Sequence, residues 1–454
     1  MPRARIALGI ALYALCGCGR APNVVVVVVD TLRADRLGCY GDGRGLTPFL
    51  DALAARGVAF RNAYAPAPWT NPSVASLLTS RFPSQHGAVA FESVLADTEV
   101  TLAEKLRAAG YRTGAFSANG GIAGGLGFAQ GFETYRAHMP KAVAGVSNLL
   151  WMPLRGDALN AETIEWLDRP GSSRGGPVFL YVQYMEPHTP YDPPAEVLAR
   201  VTAGEPAPDV TAVNRLTILA HVNPVQAEQV HAITRVYDAE VASVDARIRE
   251  LFAALEQRGV LRNALVIVTA DHGEEFNEHG VIGHGMTLYE PAIRVPLIVV
   301  VPGAAHGAVV DEVVSLVDVA PTVLEVAGIA PPPAFEGRSL RPLLASRDAR
   351  APGLAYVERI PQRIDESPEH PHAAALVVGS DKLIAGAHGE REAYRLDVDP
   401  DERNETGVDE AKRTALERHL DEMGARARRD VAARRTQPLD EETKEKLRAL
   451  GYLR

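Results

Sequence analysis

Asn23-Val-Val-Val-Val-Val-Val-Asp30 sets six consecutive valines before an aspartate. β-Branched side chains suit an extended backbone, and a run without polar alternation fits a parallel strand covered on both faces. Two later stretches repeat the pattern: Val178-Phe-Leu-Tyr-Val-Gln-Tyr-Met-Glu186-Pro-His188 and Leu265-Val-Ile-Val-Thr-Ala-Asp271-His272-Gly273. Open α/β sheets bind ligands beyond the carboxyl ends of their strands. The three stretches are therefore expected to deliver Asp30, His188 and the Asp271-His272 pair to one crevice. Helical patterns lie between them: 48–56 after Thr47, 102–109 after Thr101, a long one over about 226–257 with apolar residues every three to four positions, and 317–327 ending at Gly328. Residues 295–301 read as a further strand, as do 111–117 just before Asn119. The expected fold is α/β, a large, mixed, mainly parallel sheet flanked by helices.

Residues 65–79, Ala-Pro-Ala-Pro-Trp-Thr-Asn-Pro-Ser-Val-Ala-Ser-Leu-Leu-Thr, read as a turn running into a helix with Thr70 at the junction. Thr70 or Asn71 is expected to cap it, and Pro72 suits its first turn. Unpaired N–H groups at a helix start favour an anion, so Thr70 reads as the nucleophile of a metal-dependent hydrolase of phosphate or sulfate esters. The same string also fits an ordinary capped surface helix.

The chain opens with the basic Met1-Pro-Arg-Ala-Arg5, an apolar stretch over 6–15 and then Leu15-Cys-Gly-Cys18. This reads as an export signal too short to span a bilayer, resembling a lipoprotein signal acylated at Cys18. An exported, periplasmic or cell-envelope enzyme anchored to the membrane is the expectation, with a plain secretory signal as the alternative. Of three cysteines, only Cys39 then remains, so no disulfide framework is available. A formal net charge of −10 speaks against nucleic acid as a partner, and 46% hydrophobic content fits a folded enzyme.

From Ile329 the composition changes: Ala330-Pro-Pro-Pro-Ala334 is a rigid break, followed by short segments at 374–378 and 382–385. A smaller C-terminal α+β domain is expected here. Its last helix runs from near Asp409 to about Arg434, with Gly424 as a candidate interruption, and a charged tail follows over 441–450. The expected organisation is 1–18 signal, 22–330 catalytic domain, and 331–454 smaller subdomain with helical tail.

Several motifs, in this order, resemble the sulfatase branch of the alkaline phosphatase superfamily. They are residues 23–41, Pro72-Ser-Val-Ala-Ser-Leu-Leu-Thr79, Pro83-Ser-Gln-His-Gly87, Met185-Glu-Pro-His-Thr-Pro-Tyr-Asp-Pro-Pro194, Asp271-His-Gly-Glu274, Gly283-His-Gly285, Leu288-Tyr-Glu-Pro291, Arg294-Val-Pro296 and Ala393-Tyr-Arg-Leu-Asp-Val-Asp-Pro400. The resemblance covers nearly the whole chain and implies an alkaline phosphatase/sulfatase-like fold. It also implies one divalent metal held by Asp30, Asp271 and His272, with Thr70 facing it. Ca²⁺ is the expectation from the resemblance, with Mn²⁺, Mg²⁺ and Zn²⁺ also compatible with the ligands. His188 matches the residue that binds the anionic group. His284 stands where many relatives carry lysine, so either histidine is a candidate acid for the leaving group. Asn119 is a candidate neutral contact to substrate oxygens, and His86 is read as fixing a turn.

The departures matter as much. Thr70 occupies the position of the cysteine or serine that becomes formylglycine, so no formylglycine is expected. Val74 replaces an arginine, Thr31 a second metal-binding aspartate, and Ser117-Ala-Asn119 a Lys-x-His element. A formylglycine hydrate expels sulfate by collapsing to the aldehyde, whereas a threonine ester must be cleared by water attack. That favours phosphoryl chemistry, and the lost positive charge favours a diester monoanion over a monoester dianion. A phospho-group transferase acting on envelope glycans or lipids, and an inactive sulfatase-like binding protein, are the alternatives.

Overall fold

The computed structural model describes residues 21–91, 93–138, 141–142, 151–169, 175–220, 224–302, 307–346, 353–361, 372–386, 388–405 and 407–428. Cys18 and the tail at 441–450 lie outside these residues. The valine run forms the strand Asn23–Val29, and all six valines are fully buried. It lies within an eight-stranded sheet ordered Ala308–Val310, Val58–Phe60, Leu297–Val300, Ala264–Ala270, Asn23–Val29, Val178–Tyr184, Arg112–Ser117 and Thr134–Ala137. Only Leu297–Val300 runs antiparallel to its neighbours, so the sheet is mixed and mainly parallel.

The register positions the site. Val29 pairs with Tyr184 on one side and Ala270 on the other. Asp30, Met185 and Asp271 therefore leave the sheet together, each one residue past its strand. Ser117 pairs with Gln183, so Asn119 emerges beside them.

The long helix is Ala227–Gln257, and Ile233, Val236, Tyr237, Val241, Val244, Ile248, Leu251 and Leu255 on its apolar stripe are fully buried. Burial of each such side chain is worth about 1.5–3 kcal/mol before chain entropy is counted. The helix also caps a neighbour. Asp245 accepts from Phe49 N (3.1 Å) and Leu50 N (2.9 Å), serving the start of the helix Pro48–Ala54, while Thr47 makes no side-chain cap. At Leu102–Ala108 the cap is local, with Thr101 Oγ1 accepting from Glu104 N at 3.1 Å.

Three expectations are corrected. The single strand over 295–301 is two, Arg294–Val295 and Leu297–Val300, because Pro296 brings no N–H to a ladder. The helix 317–327 begins as a 3-10 turn, Leu316–Asp318, and continues as Val319–Val326. The C-terminal helix Glu410–Arg428 runs through Gly424 without interruption, since Leu416, Leu420 and Ala427 hold it against Tyr356, Leu376 and Leu383. Those last residues belong to a smaller antiparallel sheet, Leu354–Arg359, Ala373–Val378, Asp381–Ala385 and Arg391–Arg395.

Candidate active site

Asp30, Asp271 and His272 are fully buried where adjacent strands end. One ligand atom from each lies within 4.8 Å of the others. His272 Nδ1 is 2.9 Å from Gly273 O and donates to it, so the lone pair of Nε2 faces the cluster. Nε2 is 3.5 Å from Asp30 Oδ1, 3.7 Å from Asp271 Oδ2 and 3.3 Å from Thr70 Oγ1. Burial, then the charge of His284, holds His272 well below its usual range, which keeps it neutral.

Among the described residues, no lysine or arginine pairs with the two carboxylates. Burial, then the Asp271 charge, raises Asp30 well above the carboxylate range. Burial lifts Asp271 to about 7, against the opposing pull of His284 and Thr70. Asp30 Oδ1 is buried with no hydrogen-bond partner. Two carboxylates, an imidazole lone pair and an orphaned oxygen fit a divalent ion.

Thr70 begins the helix Thr70–Thr79, and Trp69 is its N-cap, in extended backbone without a side-chain cap. The expected capping by Thr70 or Asn71 is therefore corrected. Thr70 Oγ1 is engaged with His272 and accepts from Asn119 Nδ2 at 3.3 Å, so it does not fold back on the helix. Ser73 Oγ donates to Asp271 O and ties the helix start to the loop that carries Asp271 and His272. His86 fixes the turn as expected: its Nε2 is 3.0 Å from Ser76 Oγ and 3.2 Å from Pro72 O, and Nδ1 accepts from Ala88 N.

Thr31, which follows Asp30, has φ 56°, a left-handed conformation costing a β-branched residue on the order of 1–3 kcal/mol. Tyr237 from the long helix holds it there by donating to Thr31 O at 2.7 Å while accepting from Arg33 N at 3.0 Å. The Thr31 hydroxyl is buried and unpartnered.

His188, His284 and His272 form a row, with ring centroids 5.0 Å apart for the first pair and 4.5 Å for the second. His284 Nδ1 donates to Glu274 Oε1 at 3.0 Å. Burial opposes charge on His284, but Glu274, with Asp271 beyond it, outweighs burial and holds the ring above its usual range. Burial, then the His284 charge, pushes His188 down to about 4. Of the three rings, His284 is the one whose surroundings favour the proton. Thr70, Asn119, His188 and His284 share one cavity of about 250 Å³. Asn119 donates Nδ2 to Asp30 as well as to Thr70, and its Oδ1 accepts from Gly121 N at 2.7 Å.

Two supporting residues escaped the sequence reading. Gln183 Nε2 donates to Asp271 Oδ2 at 3.2 Å, and its Oε1 accepts from Tyr181 at 2.6 Å. The signal was a lone amide inside an apolar strand. Glu274, the fourth residue of the Asp271-His-Gly-Glu motif, is the partner of His284.

A sulfatase family profile matches residues 22–329, and a profile for the C-terminal region of N-sulphoglucosamine sulphohydrolase matches 277–429. The chain belongs to the sulfatase family. Among its sulfatase relatives, an arylsulfatase of Clostridium perfringens is 27% identical over 438 residues, covering 84% of this chain and 89% of its own. A solved structure in complex with its substrate D-glucosamine-2-N,6-O-disulfate superposes with TM-score 0.72 at 22% identity, covering 90% of this chain and 98% of that one. The phosphonate monoester hydrolase of Silicibacter pomeroyi superposes with TM-score 0.71 at 23% identity, covering 92% and 100%. This sulfatase-family chain is thereby a sulfatase-like ester hydrolase with the alkaline phosphatase/sulfatase fold. No helix among the described residues is long and apolar enough to cross a membrane.

Proposed function

We propose that the protein is a single-metal ester hydrolase with Thr70 as nucleophile, acting on phosphodiester-type substrates in two steps. The observation that carries this reading is Thr70 Oγ1 standing 3.3 Å from His272 Nε2 beside the buried Asp30-Asp271 pair. A divalent ion held by Asp30, Asp271 and His272 would supply Lewis acidity to a nearby threonine alkoxide and ester oxygen.

The chain's own residues do the rest. Thr70 Oγ, its proton given up to bulk solvent, forms a bond to phosphorus as the bond to the leaving oxygen breaks, giving a threonine phosphoester. His284, oriented by Glu274, gives its proton to the leaving oxygen, with His188 on the same wall contacting the ester oxygens. Water then attacks the threonine phosphoester, its OH going to phosphorus and its other proton to His284, and the released Thr70 oxygen regains its proton from bulk solvent. Asn119 holds Thr70 and Asp30 in their mutual geometry.

Sulfate esters are the second reading, favoured by the relative named as an arylsulfatase. Aryl phosphodiester, phosphate monoester and sulfate ester assayed side by side on metal-loaded protein separate the two. Phosphodiester turnover lost in Thr70→Ala supports the first reading, whereas Thr70-dependent sulfate release supports the second. We further propose export and lipid anchoring at Cys18. Cys18→Ala should move the protein from the membrane fraction to the soluble one; unchanged membrane association would refute the anchor.

A further inference from the structure

Two hydrogen-bond donors flank Thr70 in sequence, and the protein uses neither. Asn71 Nδ2 and Trp69 Nε1 are buried without a partner, the residues being 1% and 2% exposed, and both residues line the cavity that holds Thr70. A buried donor is rarely left unmet in a native structure, because its lost hydration is then uncompensated. Here two such donors belong to the residues on either side of Thr70 in the chain, both of them in the wall of its cavity. The orientation of Asn71 is constrained as well. Its Oδ1 is turned towards Gly121, where an added Cβ would lie only 2.8 Å from it. Only a residue without a side chain leaves that amide its place, and the remaining Nδ2 is the group without a protein partner. Trp69 is held edge-on against Phe91 with ring centroids 5.1 Å apart.

The charge of the cavity points the same way. Among the described residues, no lysine or arginine lines it; the polar groups there are amides, hydroxyls, two histidines and Glu274. A doubly charged head group would meet the Glu274 carboxylate with no lysine or arginine beside it. With the Asp30 and Asp271 carboxylates offsetting a divalent ion, a singly charged head group could be held by neutral N–H groups at little cost in unbalanced charge.

We infer that Asn71 and Trp69 are the head-group donors of this site, offering two neutral N–H groups to the non-reacting oxygens of a tetrahedral ester that carries one negative charge. Sulfate monoesters, phosphodiesters and phosphonate monoesters share that chemistry, and phosphate monoester dianions fall outside it. The inference rests on Thr70 standing at the point of attack and adds the residues that select the substrate's charge.

The test uses full-length, metal-loaded protein and aryl esters with one common leaving group: a sulfate ester, a phosphodiester, a phosphonate monoester and a phosphate monoester. Trp69→Phe keeps an aromatic ring against Phe91 and deletes the N–H together with part of the indole, a packing loss that the melting temperature registers. Asn71→Leu keeps the volume and deletes the amide, while Gly121→Ala crowds the amide without removing it. Wild type is expected to favour the singly charged esters. Trp69→Phe and Asn71→Leu should each lower kcat/KM for the preferred ester by roughly tenfold to a hundredfold, narrowing its advantage over the dianion, with Gly121→Ala intermediate. In a Thr70→Ala background, where turnover is not needed, the same substitutions should weaken calorimetric binding of the intact singly charged ester by about tenfold. Metal content and melting temperature identify variants that fold. Preference of wild type for the dianion, or unchanged binding and selectivity in folded Trp69→Phe and Asn71→Leu, would overturn the inference. Full turnover by Thr70→Ala would refute the nucleophile, while the binding measurements would still decide the roles of Asn71 and Trp69.

Discussion

Two buried clusters in this molecule each hold a pair of carboxylates, and they neutralise them differently. In the first, Glu290 and Glu402 enclose Lys382, whose Nζ is 3.1 Å from Glu290 Oε1 and 2.6 Å from Glu402 Oε1. Burial opposes charge on Lys382, but the two carboxylates outweigh it and hold the ammonium above its usual range. Glu402 also accepts from Glu290 N at 2.6 Å, and Tyr64 donates to Glu290 Oε2 at 3.3 Å. In the second, Asp30 and Asp271 face His272, which is neutral, and one oxygen of Asp30 has no partner. The first cluster carries its own cation, and the second is built to receive one. They are also mechanically linked. Pro291 O and Ala292 O, directly after Glu290, accept from Glu274 N (2.9 Å) and Gly273 N (2.8 Å), so the lysine cluster braces the loop that carries Asp271 and His272.

The largest effect that could break this comparison is on turnover. Asp30→Asn should abolish metal retention and lower kcat/KM by roughly three orders of magnitude or more, while the metal-free variant melts above metal-free wild type by on the order of 1 kcal/mol. The sign follows from the raised pKa: at neutral pH the buried Asp30 charge opposes folding, and the amide removes it. Elemental analysis and calorimetric melting check both halves. A variant that kept its metal would end the distinction between the clusters.

Lys382→Met removes the other cation. It should destabilise folding by about 3–5 kcal/mol, as expected when one partner of a buried ion pair is lost, yet leave one metal per folded molecule. Denaturant titration alongside metal content reads this out. A chelator should act on only one cluster, lowering wild-type stability by about 2.7 kcal/mol relative to metal at a hundredfold excess over Kd, with no effect on Asp30→Asn.

The smallest effect concerns a third buried acid with no cation of its own. Glu240, in the long helix, is raised by burial, then by the Glu186 charge, from 4.5 to about 8. A carboxyl raised on folding contributes stability that is present below pH 4.5 and lost as pH rises through about 8. Glu240→Gln should therefore be more stable than wild type above pH 8 by on the order of 1 kcal/mol, with the difference disappearing near pH 4. Melting curves across that range measure it, and a pH-independent difference would contradict the assignment.

The grouping of Asp30, Asp271 and His272 was legible in the sequence because the sheet enforces it. Uninterrupted apolar strands in parallel register leave Asp30 and Asp271 no other place to emerge, and Thr70 sits at a helix start written in Asn71-Pro72. The lysine cluster was not legible. Lys382 lies 92 residues from Glu290, and no local period joins them. The same holds for Asp245 capping a helix near Leu50 and for Gln183 under Asp271, which are single polar residues whose partners are set by packing. The start of the Thr70 helix was misread for a related reason. Local capping rules assume a free hydroxyl, and tertiary contacts had already claimed that of Thr70.

The most direct test of the account traps the nucleophile. Metal-loaded protein turning over an aryl phosphodiester is quenched in acid, digested, and mapped by mass spectrometry. The account predicts a phosphoryl adduct on Thr70 that is absent from Thr70→Ala, together with lost turnover in that variant. Turnover that persists in Thr70→Ala, with no adduct on Thr70 at any quench time, would contradict it.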